Sequence, residues 1–356
     1  MTVTDNRPKS DNRPLTLQDI GCKDEALLND WHVVGYSTDF ESGRPYSVTL
    51  LGRDLAVWRD STGELHVWED LCIHRGARLS GGTIINNQIA CPYHGWRYNT
   101  EAKCTLIPSA PRDKPMAKAR AFPWAVQERY GFAWVCLGDP ANDVPAFPQW
   151  DDEAQKKVHA GPFEFGANGY RALENFVDIT HFPFVHSGIN GDPDNPDEIH
   201  PYSVEMTDEG LVTSEIPVFQ PIGDSRGRPT ISGYTYRIQR PLVAAFTKRL
   251  FDVDENHRPI SDDVNYFTVY ATAQLVSETH SIIRTCVAVT KEGAVSDQTI
   301  KDRVTMVFTQ DEAIVGTQRP ERIPAELRYE LHHRNDLLAQ QYRSWLRSLG
   351  ITYGVI

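Results

Sequence analysis

The sequence contains no long hydrophobic run. Its most apolar segments are short, such as residues 242–246, and none approaches the roughly 18 consecutive apolar residues of a membrane-spanning helix. Residues 1–14 are polar and carry Asp, Asn, Arg and Lys where a secretory signal would have an apolar stretch. These absences argue against membrane insertion and export, and we expect a soluble, cytoplasmic protein.

Basic residues are in deficit: 36 Lys and Arg stand against 48 Asp and Glu, which gives a net charge of −12. An acidic chain repels phosphate backbones and anionic lipid, so we expect neither nucleic acid nor a membrane as a partner. Hydrophobic residues at 40% and charged residues at 24% exclude a predominantly disordered chain. With 356 residues, the chain has room for two domains at about 150 residues each.

Cysteine is scarce as well. Six cysteines in 356 residues exclude a small disulfide-stapled fold and direct attention to metal binding. Four of them have no histidine placed to form a ligand pair, and we interpret these as small apolar side chains. They are Cys22, Cys104, Cys136 and Cys286. Cys72 and Cys91 differ, because a histidine follows each of them within three residues.

Residues 31–137 contain short segments rich in β-branched and aromatic residues, separated by turn residues. Examples are residues 46–50, 54–58 and 65–69, and the pattern predicts a small all-β domain. The glycine and prolines between residues 138 and 148 predict a linker, since closely spaced prolines resist both helix and central strand. We therefore place a domain boundary near residue 146. The expected organisation is an N-terminal extension (1–26), a first domain (27–146) and a second domain (147–356).

The second domain has a mixed pattern. Residues 168–178 have helical spacing, and residues 325–349 carry apolar side chains with the 3.6-residue period of one long amphipathic helix. Residues 233–239, 264–276 and 282–289 predict longer strands suited to an antiparallel sheet. The second domain is therefore expected to be α+β.

Two pairs of potential metal ligands, Cys72 with His74 and Cys91 with His94, each follow a predicted strand. Each pair supplies one thiolate and one imidazole, whereas a structural zinc site more often takes two cysteines and then two histidines. A Rieske [2Fe–2S] centre requires two Cys on one iron and two His on the other. The alternative is buried cysteines and surface histidines that are close by chance, which two such pairs in one β domain disfavour. The sequence therefore predicts a Rieske centre.

A second set of ligand-type residues lies in residues 174–186, where polar and large apolar side chains alternate. Asp178 and His181 share a helical face, but His181 and His186 are about 140° apart on an ideal helix. A regular helix is excluded, and we expect Pro183 to push Phe182 out of the helical region and bend the chain. The bend would bring both imidazoles to one metal.

Two histidines and one carboxylate with open positions form the site of non-haem Fe(II) oxygenases. The alternative is a pair of ordinary surface or core histidines. The carboxylate is expected near residues 307–312, and spacing alone does not separate Asp311 from Glu312 or Asp302.

With both ligand sets in this order, nearly the whole chain resembles the catalytic (alpha) subunit of Rieske non-haem iron oxygenases. Residues 91–98, 128–131 and 342–346 are most similar to the short demethylase and monooxygenase group. That group includes caffeine N-demethylase, dicamba and vanillate O-demethylases and the saxitoxin-pathway hydroxylases. The resemblance implies an N-terminal all-β Rieske [2Fe–2S] domain, followed by a catalytic domain with a curved antiparallel sheet covered by helices.

The resemblance also implies roles for individual residues. His181 and His186 correspond to iron ligands, and the family's late Phe-x-x-Asp segment makes Asp311 the third. Asp178 resembles the residue that bridges the cluster of one subunit to the iron of its neighbour in a homotrimer. We interpret Asn175 either as a hydrogen-bonding group near the iron or as an ordinary helix residue.

The implied activity is hydroxylation or O-/N-demethylation of a small aromatic or heteroaromatic substrate with O2. A ferredoxin or flavin-dependent reductase would supply electrons to the Rieske [2Fe–2S] cluster, which passes them to mononuclear Fe(II). Two alternatives stay open: a cis-dihydroxylating arene dioxygenase, and an electron-transfer Rieske protein without oxygen chemistry. Aromatic residues of the predicted strands suit an aromatic guest, although about half must face away from it. They are Tyr234, Tyr236, Phe246, Phe251, Tyr266, Phe267 and Tyr270.

Overall fold

The computed structural model describes residues 21–260, 264–290 and 295–356. The chain divides into two compact units, the first ending at Val144 and the second beginning at Pro145. Most of the extension predicted for residues 1–26 lies outside the described residues, which begin at residue 21. Among the described helices, none is both long enough and apolar enough to cross a lipid bilayer.

In its described residues, the first unit consists mainly of short strands, with one helical turn, α1 (Glu25–Leu28), before them. The strands are β1 (His32–Tyr36), β2 (Pro45–Leu50), β3 (Arg53–Arg59), β4 (Leu65–Glu69), β5 (Thr83–Ile84), β6 (Ile89–Ala90), β7 (Arg97–Tyr98), β8 (Cys104–Leu106), β9 (Pro123–Arg129) and β10 (Phe132–Cys136). The segments predicted from the sequence coincide with β2, β3 and β4. The predicted all-β architecture is confirmed.

These strands form two antiparallel sheets. Six strands pair in the order β1-β10-β9-β4-β3-β2, and the four shorter strands pair in the order β5-β6-β7-β8. Trp58 on β3 and Trp68 on β4 meet edge to face with ring centroids 5.2 Å apart, and they anchor a core that also contains Cys72 and Cys91. The two predicted cysteine ligands therefore lie in the core of this unit.

The described part of the second unit combines longer strands with four helices. The strands are β11 (Gln155–Phe165), β12 (Val204–Thr207), β13 (Gly210–Thr213), β14 (Ile216–Gln220), β15 (Thr230–Arg240), β16 (Val243–Asp252), β17 (Asn265–Ser277) and β18 (His280–Thr290). The helices are α2 (Gly169–Phe176), α3 (Phe182–Val185), α4 (Asp297–Val315) and α5 (Leu337–Ser348).

All these strands belong to one antiparallel sheet, in the order β11-β18-β17-β16-β15-β13-β12, with β14 also paired to β15. Helix α2 lies against β17 and β18, and α4 lies against β11 and α2. The predicted α+β architecture, with an antiparallel sheet and helices against it, is confirmed. Because side chains alternate along a strand, Phe246 and Lys248 of β16 share one face of the sheet. Lys248 is flanked in register by Tyr234 on β15 and Phe267 on β17.

The prediction of a single helix over residues 325–349 is wrong at its start, because α5 begins only at Leu337. Residues 327–329 and 334–336 form separate 3-10 turns. The Asp336 carboxylate accepts a hydrogen bond from the His333 amide, which caps the start of the second turn. Leu331, one of the apolar residues in the predicted range, is fully exposed in the structure. Its neighbour Glu330 is instead held by two arginines.

Helix α4 was not predicted from the sequence. Its N-terminus is capped by the Ser296 hydroxyl, which accepts a hydrogen bond from the Thr299 amide at 3.1 Å. Its buried residues recur at intervals of three or four, the periodicity of one helical face. They are Ile300, Val304, Phe308, Asp311 and Val315. The periodic pattern of a buried helical face was therefore present in the sequence. It was harder to recognise because a carboxylate, Asp311, occupies one of the five buried positions.

Candidate metal centres

The two Cys/His loops of the first unit have the same backbone conformation. In the first loop the Cys72 amide donates to the Ala77 carbonyl, and the Gly76 amide donates to the Cys72 carbonyl, both at 2.8 Å. The same two bonds recur in the second loop at Cys91, Gly95 and Trp96. The glycine has a φ of 71° in the first loop and 69° in the second, values at which a side chain would be strained. Each loop therefore presents its cysteine and its histidine from the same kind of turn.

The four candidate ligands separate into a buried pair and a more exposed pair. Cys72 and Cys91 are 1% and 4% exposed. His74 and His94 lie side by side with ring centroids 4.6 Å apart, and His74 stacks on Trp96. Two thiols on one side and two imidazoles on the other suit a two-iron cluster with unlike ligands on its two irons.

A single zinc ion does not suit this arrangement. A tetrahedral zinc site brings its four ligand atoms to roughly 4 Å from one another. Among the described residues, no three of these four candidate ligands have their ligand atoms within 4.8 Å of one another.

Burial raises the pKa of the Cys72 thiol to about 11, although the Tyr98 hydroxyl, 3.1 Å from Sγ, opposes this. A buried thiol of this kind becomes a thiolate when a metal takes the place of its proton.

The second candidate centre begins where α2 ends. Helix α2 stops at Phe176, and α3 starts at Phe182, so the chain leaves the helix between these residues. Pro183 lies in the first turn of α3, where a proline is tolerated, and Phe182 is helical. The sequence correctly excluded a regular helix, but the prediction that Pro183 causes the break was wrong, because the break precedes it.

This break brings His181 and His186 together with Asp311 of α4. The two Nε2 atoms are 3.2 Å apart, and Asp311 Oδ1 lies 3.1 Å from His186 Nε2 and 3.4 Å from His181 Nε2. Of the three carboxylates left open by spacing, only Asp311 forms such a group with both histidines in the described residues. The arrangement offers one metal ion two imidazoles and one carboxylate.

Both imidazoles are oriented through their other nitrogen. His181 Nδ1 lies 3.2 Å from Asp178 Oδ2, and His186 Nδ1 lies 2.8 Å from Gln310 Oε1. Such contacts keep a proton on Nδ1 and direct the lone pair of Nε2 towards a metal. The donor set and its supports therefore fit a mononuclear iron.

The charges at this site are strongly coupled. Burial alone would raise the pKa of Asp311, but hydrogen bonds from His181 and His186 hold it well below its usual range. Burial alone would lower the pKa of His181, but its bonds to Asp178 and Asp311 raise it to about 9. A bound iron ion would take the place of the proton on the histidines. Its positive charge would then compensate the negative charge of the same carboxylates.

Another group with metal-ligand chemistry consists of Asp60, Glu64 and His66 in the first unit. Asp60 Oδ1 already accepts hydrogen bonds from the Thr62 amide and hydroxyl and from the Glu64 amide. Its Oδ2 contacts His66 Nε2 at 3.1 Å. These bonds close the turn between β3 and β4, so we interpret the group as structural.

An open cavity reaches the facing Nε2 atoms and Asp311. Asn175 lines it, together with an apolar wall and three polar residues. The wall consists of Phe176, Phe182, Tyr234, Phe246, Phe267, Val269, Val304, Val307 and Phe308, and the polar residues are Asn190, Lys248 and Arg303. Three of the seven aromatic residues expected near a substrate therefore do line the cavity. Tyr270 instead stacks on Phe147, and Tyr266 is exposed.

A second, larger cavity lies on the other side of the histidine support. Asp178 and Asn175 line it, with charged residues that include Glu174, Glu330 and Arg343. Asp178 is held by the Thr180 amide and hydroxyl, and a third of its side chain is exposed. Asp178 therefore contacts His181 on one side and faces an open polar cavity on the other.

A paired Cys/His site in a β unit, together with a separate two-histidine, one-carboxylate site in an α+β unit, defines a Rieske non-haem iron oxygenase. Residues 30–126 match the Rieske [2Fe-2S] domain, and residues 165–350, more than half of the chain, match the vanillate O-demethylase oxygenase C-terminal domain. The chain therefore belongs to the Rieske non-haem iron oxygenases, with a C-terminal domain of the vanillate O-demethylase type. Its cofactors are a Rieske [2Fe–2S] cluster and a mononuclear non-haem iron.

Individual relatives agree with this family. The chain is 28% identical over 351 residues to methylxanthine N1-demethylase NdmA of Pseudomonas putida, covering 92% of each protein. The structure of Pseudomonas putida CBB5 NdmA with caffeine matches with a TM-score of 0.75 and 26% identity, over 91% of both chains.

Two further relatives match less of the chain or at lower identity. The oxygenase component of a 3-ketosteroid-9-alpha-monooxygenase of Rhodococcus rhodochrous is 34% identical over 179 residues, 47% of this chain and 46% of that protein. Dicamba monooxygenase bound to dicamba has a similar fold, with a TM-score of 0.74 and 20% identity over 91% of this chain and 97% of that one. The chain is a monooxygenase of this family.

Sequence reasoning missed three residues of the second centre. Gln310, which supports His186, directly precedes the candidate ligand and could have been considered on that ground. Lys248 and Arg303 line the cavity, although nothing in their local sequence distinguishes them from surface cations. Their positions follow from strand pairing and helix packing.

Proposed function

We propose that this chain hydroxylates or demethylates a small aromatic or heteroaromatic substrate, with its iron held by His181, His186 and Asp311. The observation that carries the proposal is the convergence of these three side chains at an aromatic-walled cavity. An electron-transfer protein has no need of such a cavity, so the convergence disfavours that alternative. Relatives named as demethylase and monooxygenase support this reaction over cis-dihydroxylation.

The protein residues position the reactants. When bound, the cluster supplies electrons, and the mononuclear iron supplies the site where dioxygen is activated. Asp178 and Gln310 orient the two imidazoles, while Asp311 contributes the negative charge. The phenylalanine wall excludes water and holds a ring against the open side of the ligands. Asn175 lines the same cavity and is proposed as a hydrogen-bonding group near the iron.

The proposal extends to the remaining ligands and the assembly. Cys72, His74, Cys91 and His94 hold the [2Fe–2S] cluster, which a ferredoxin or flavin-dependent reductase reduces. The chain has domains at 27–146 and 147–356, and three copies of the chain associate as a homotrimer in the cytoplasm. Asp178 connects His181 to the Rieske domain of the neighbouring subunit, and its exposed side and the open polar cavity beside it support this role.

The test is a substrate screen with the iron-loaded enzyme and a supplied reductase. Methoxyarenes and N-methyl heteroarenes are offered with O2, and formaldehyde is measured. One oxygen atom enters a methyl C–H bond, and the resulting hydroxymethyl group releases formaldehyde. The second oxygen atom leaves as water, with two electrons from the reductase and two protons.

We expect formaldehyde from at least one compound class, and no formaldehyde from His186→Ala. An iron assay is run in parallel, and the expected content is the two irons of the cluster plus one mononuclear iron per chain. Cluster iron alone would instead identify an electron carrier. Full iron loading without a demethylated or hydroxylated product from any aromatic compound would contradict the proposal.

A further inference from the structure

Two cationic side chains line the cavity at the iron ligands, among residues that are otherwise mostly apolar. Lys248 is 3% exposed and stands in the aromatic row of the sheet, with its ammonium 4.8 Å from the Phe267 ring centroid and 5.5 Å from that of Tyr234. Arg303 comes from α4. An apolar ring by itself requires neither of these charges.

The hydrogen-bond partners of both cations are neutral. Arg303 Nη2 donates to Asn190 Oδ1 at 3.0 Å and to the Ile222 carbonyl at 2.7 Å. Lys248 Nζ donates to the Gly223 carbonyl and lies 3.4 Å from Gln220 Oε1. Within the described ranges, neither cation forms an ion pair with a carboxylate.

The carboxylate that interacts most strongly with them is already occupied. Asp224 raises the pKa of both Lys248 and Arg303, but its Oδ2 accepts a hydrogen bond from Arg226 Nε at 2.6 Å. Burial and the neighbouring Arg303 hold the pKa of Lys248 well below its usual range, so its ammonium form is unfavourable unless an anion lies beside it. A buried charge without a counter-ion is unfavourable, and an anion from outside the protein removes that cost.

The cations have donors left for such an anion. A guanidinium has five N–H groups and an ammonium has three. Both hydrogen bonds of Arg303 use Nη2, so the N–H groups of Nε and Nη1 can still donate single charge-assisted hydrogen bonds to an anion. As an ammonium, Lys248 has one N–H group beyond the two directed at Gln220 and Gly223.

Helix α4 relates this cationic region to the iron ligands. Arg303, Val307 and Asp311 recur every four residues on one helical face, and all three line the cavity. Eight residues at 1.5 Å per residue separate the backbones of Arg303 and Asp311 by about 12 Å. Part of that distance is spanned by the two side chains, which leaves a gap of the order of one substituted ring.

We propose that Arg303, assisted by Lys248, binds an anionic group of the substrate, so that the substrate is an aromatic or heteroaromatic acid. This inference rests on the proposed function and specifies its substrate class. The carboxylate lies at the cationic end, the ring lies between the phenylalanines, and the position to be oxidised faces His181, His186 and Asp311. The two cations determine specificity and take no part in the oxidation itself.

The alternative is purely structural. Both cations bind the segment at residues 220–223, and in this alternative they only fasten that segment to the sheet and to α4. The two roles predict different results, because a fastening role affects all ligands equally, whereas an anion site affects only the charged ones.

The test measures binding without turnover. The anaerobic holoenzyme is titrated calorimetrically with 3- and 4-methoxybenzoate and with the neutral 3- and 4-methoxybenzamides. Hydrogen bonds to a charged group correspond to roughly a 10- to 150-fold effect, so we expect the better acid to bind at least about tenfold more tightly than its amide. Arg303→Gln should remove this preference while leaving amide binding nearly unchanged. Arg303→Lys should keep part of it, and Lys248→Met should reduce it.

Lys301→Gln is the matched control, because it removes an exposed charge from the same helix. It should keep the wild-type preference. Cluster absorbance and iron content of each variant show that it is folded and loaded. Equal binding of acids and amides by the wild-type protein, or an equal loss of both in Arg303→Gln, would overturn the inference.

The formaldehyde screen separates this inference from the proposed function. Turnover of neutral methoxyarenes or methylxanthines, without any preference for acids, would overturn the anion site and leave the oxygenase function intact. Arg303-dependent binding of acids, without any product from the loaded enzyme, would support the anion site and contradict the proposed function.

Discussion

Gln310 Oε1 lies 2.8 Å from Nδ1 of His186, and Gln310 directly precedes Asp311 in α4. One helix therefore supplies a candidate iron ligand and also orients a second one, which comes from a different segment of the chain. Any shift of α4 would move both together. This coupling makes the supporting residue a sensitive test of the iron site.

We predict that Gln310→Leu weakens iron binding by about 10- to 100-fold, because His186 loses the acceptor that fixes its ring. The measurement is the mononuclear iron retained after dialysis against a graded chelator. Gln310→Glu keeps an acceptor and should retain iron. Thr309→Ala, at the exposed neighbouring position, is the control for helix stability. Wild-type iron retention in Gln310→Leu would show that His186 needs no such support.

We predict that Cys72→Ser or Cys91→Ser abolishes the visible absorption of the cluster and its EPR signal after reduction. Loss of one thiolate opens an iron coordination position. Cys104→Ala is the control, because Cys104 is buried in the same core without a histidine partner and should leave both signals unchanged. A serine variant with the full signal would rule out the assigned ligands.

We predict that Asp311→Ala removes mononuclear iron and turnover while leaving the cluster spectrum intact. His181→Ala and His186→Ala should behave alike. Glu312→Ala is the matched variant, since Glu312 is the adjacent carboxylate and forms no group with the two histidines in the structure. It should keep its iron. The opposite result, iron lost from Glu312→Ala and kept in Asp311→Ala, would move the third ligand by one residue.

Asp178→Asn is predicted to keep both metal centres and to lower turnover by at least about 10- to 100-fold, because the charge that orients His181 is lost. Single-turnover kinetics of the reduced protein should show slow oxidation of the cluster.

Co-expression of a Cys72→Ser chain with a His181→Ala chain tests the route between subunits. Partial activity in verified mixed oligomers is expected. The absence of any recovery would mean that electrons stay within one chain.

A pH-dependent contribution to stability is expected from Glu128 and Arg59, whose side chains form two hydrogen bonds at 2.7 and 2.9 Å. The bonds from Arg59 lower the pKa of Glu128 from its ordinary 4.5. The stabilisation is therefore fully present above about pH 4.5 and is lost as the pH falls through the lowered pKa. Since a third of the Glu128 side chain is exposed, we expect about 1 kcal/mol.

The measurement compares Tm values of the wild-type protein and Glu128→Gln over a series of pH values. Their difference should be greatest near neutrality and should shrink on acidification. Glu41→Gln, at an exposed position of the same unit, is the control and should show little difference throughout. A difference for Glu128→Gln that grows below pH 4.5 would reverse the assigned sign.

Much of the fold was predictable because its signals are local. Strands β2, β3 and β4 alternate with turn residues, and the two Cys/His pairs require only short spacings. The start of α5 was not predictable from apolar periodicity, because Glu330 leaves the helical pattern to contact Arg171 and Arg343, which are distant in sequence. Periodicity records which residues are apolar, but it does not record which charged residues will pair.

The residues of the candidate site likewise divide into those with a local sequence signal and those that only the fold brings to the site. His181 and His186 were recognisable as a pair, whereas Asp311 was one of three carboxylates until α4 brought it to them. Lys248 was not predictable, since its cavity exists only after β15, β16 and β17 pair. The presence of Arg303 in the cavity depends likewise on how α4 packs in the second unit.

Helix α4 works as a molecular ruler. Arg303 and Asp311 are fixed on one rigid element, so the distance from the bound anion to the oxidised position is set by helical rise and hardly adjusts to the ligand. An acid lengthened by one methylene between ring and carboxylate would push the ring about 1.5 Å further along, roughly the rise of one residue. The enzyme should then oxidise a different ring position or none, which makes the length of the substrate, as much as its charge, a basis for selection.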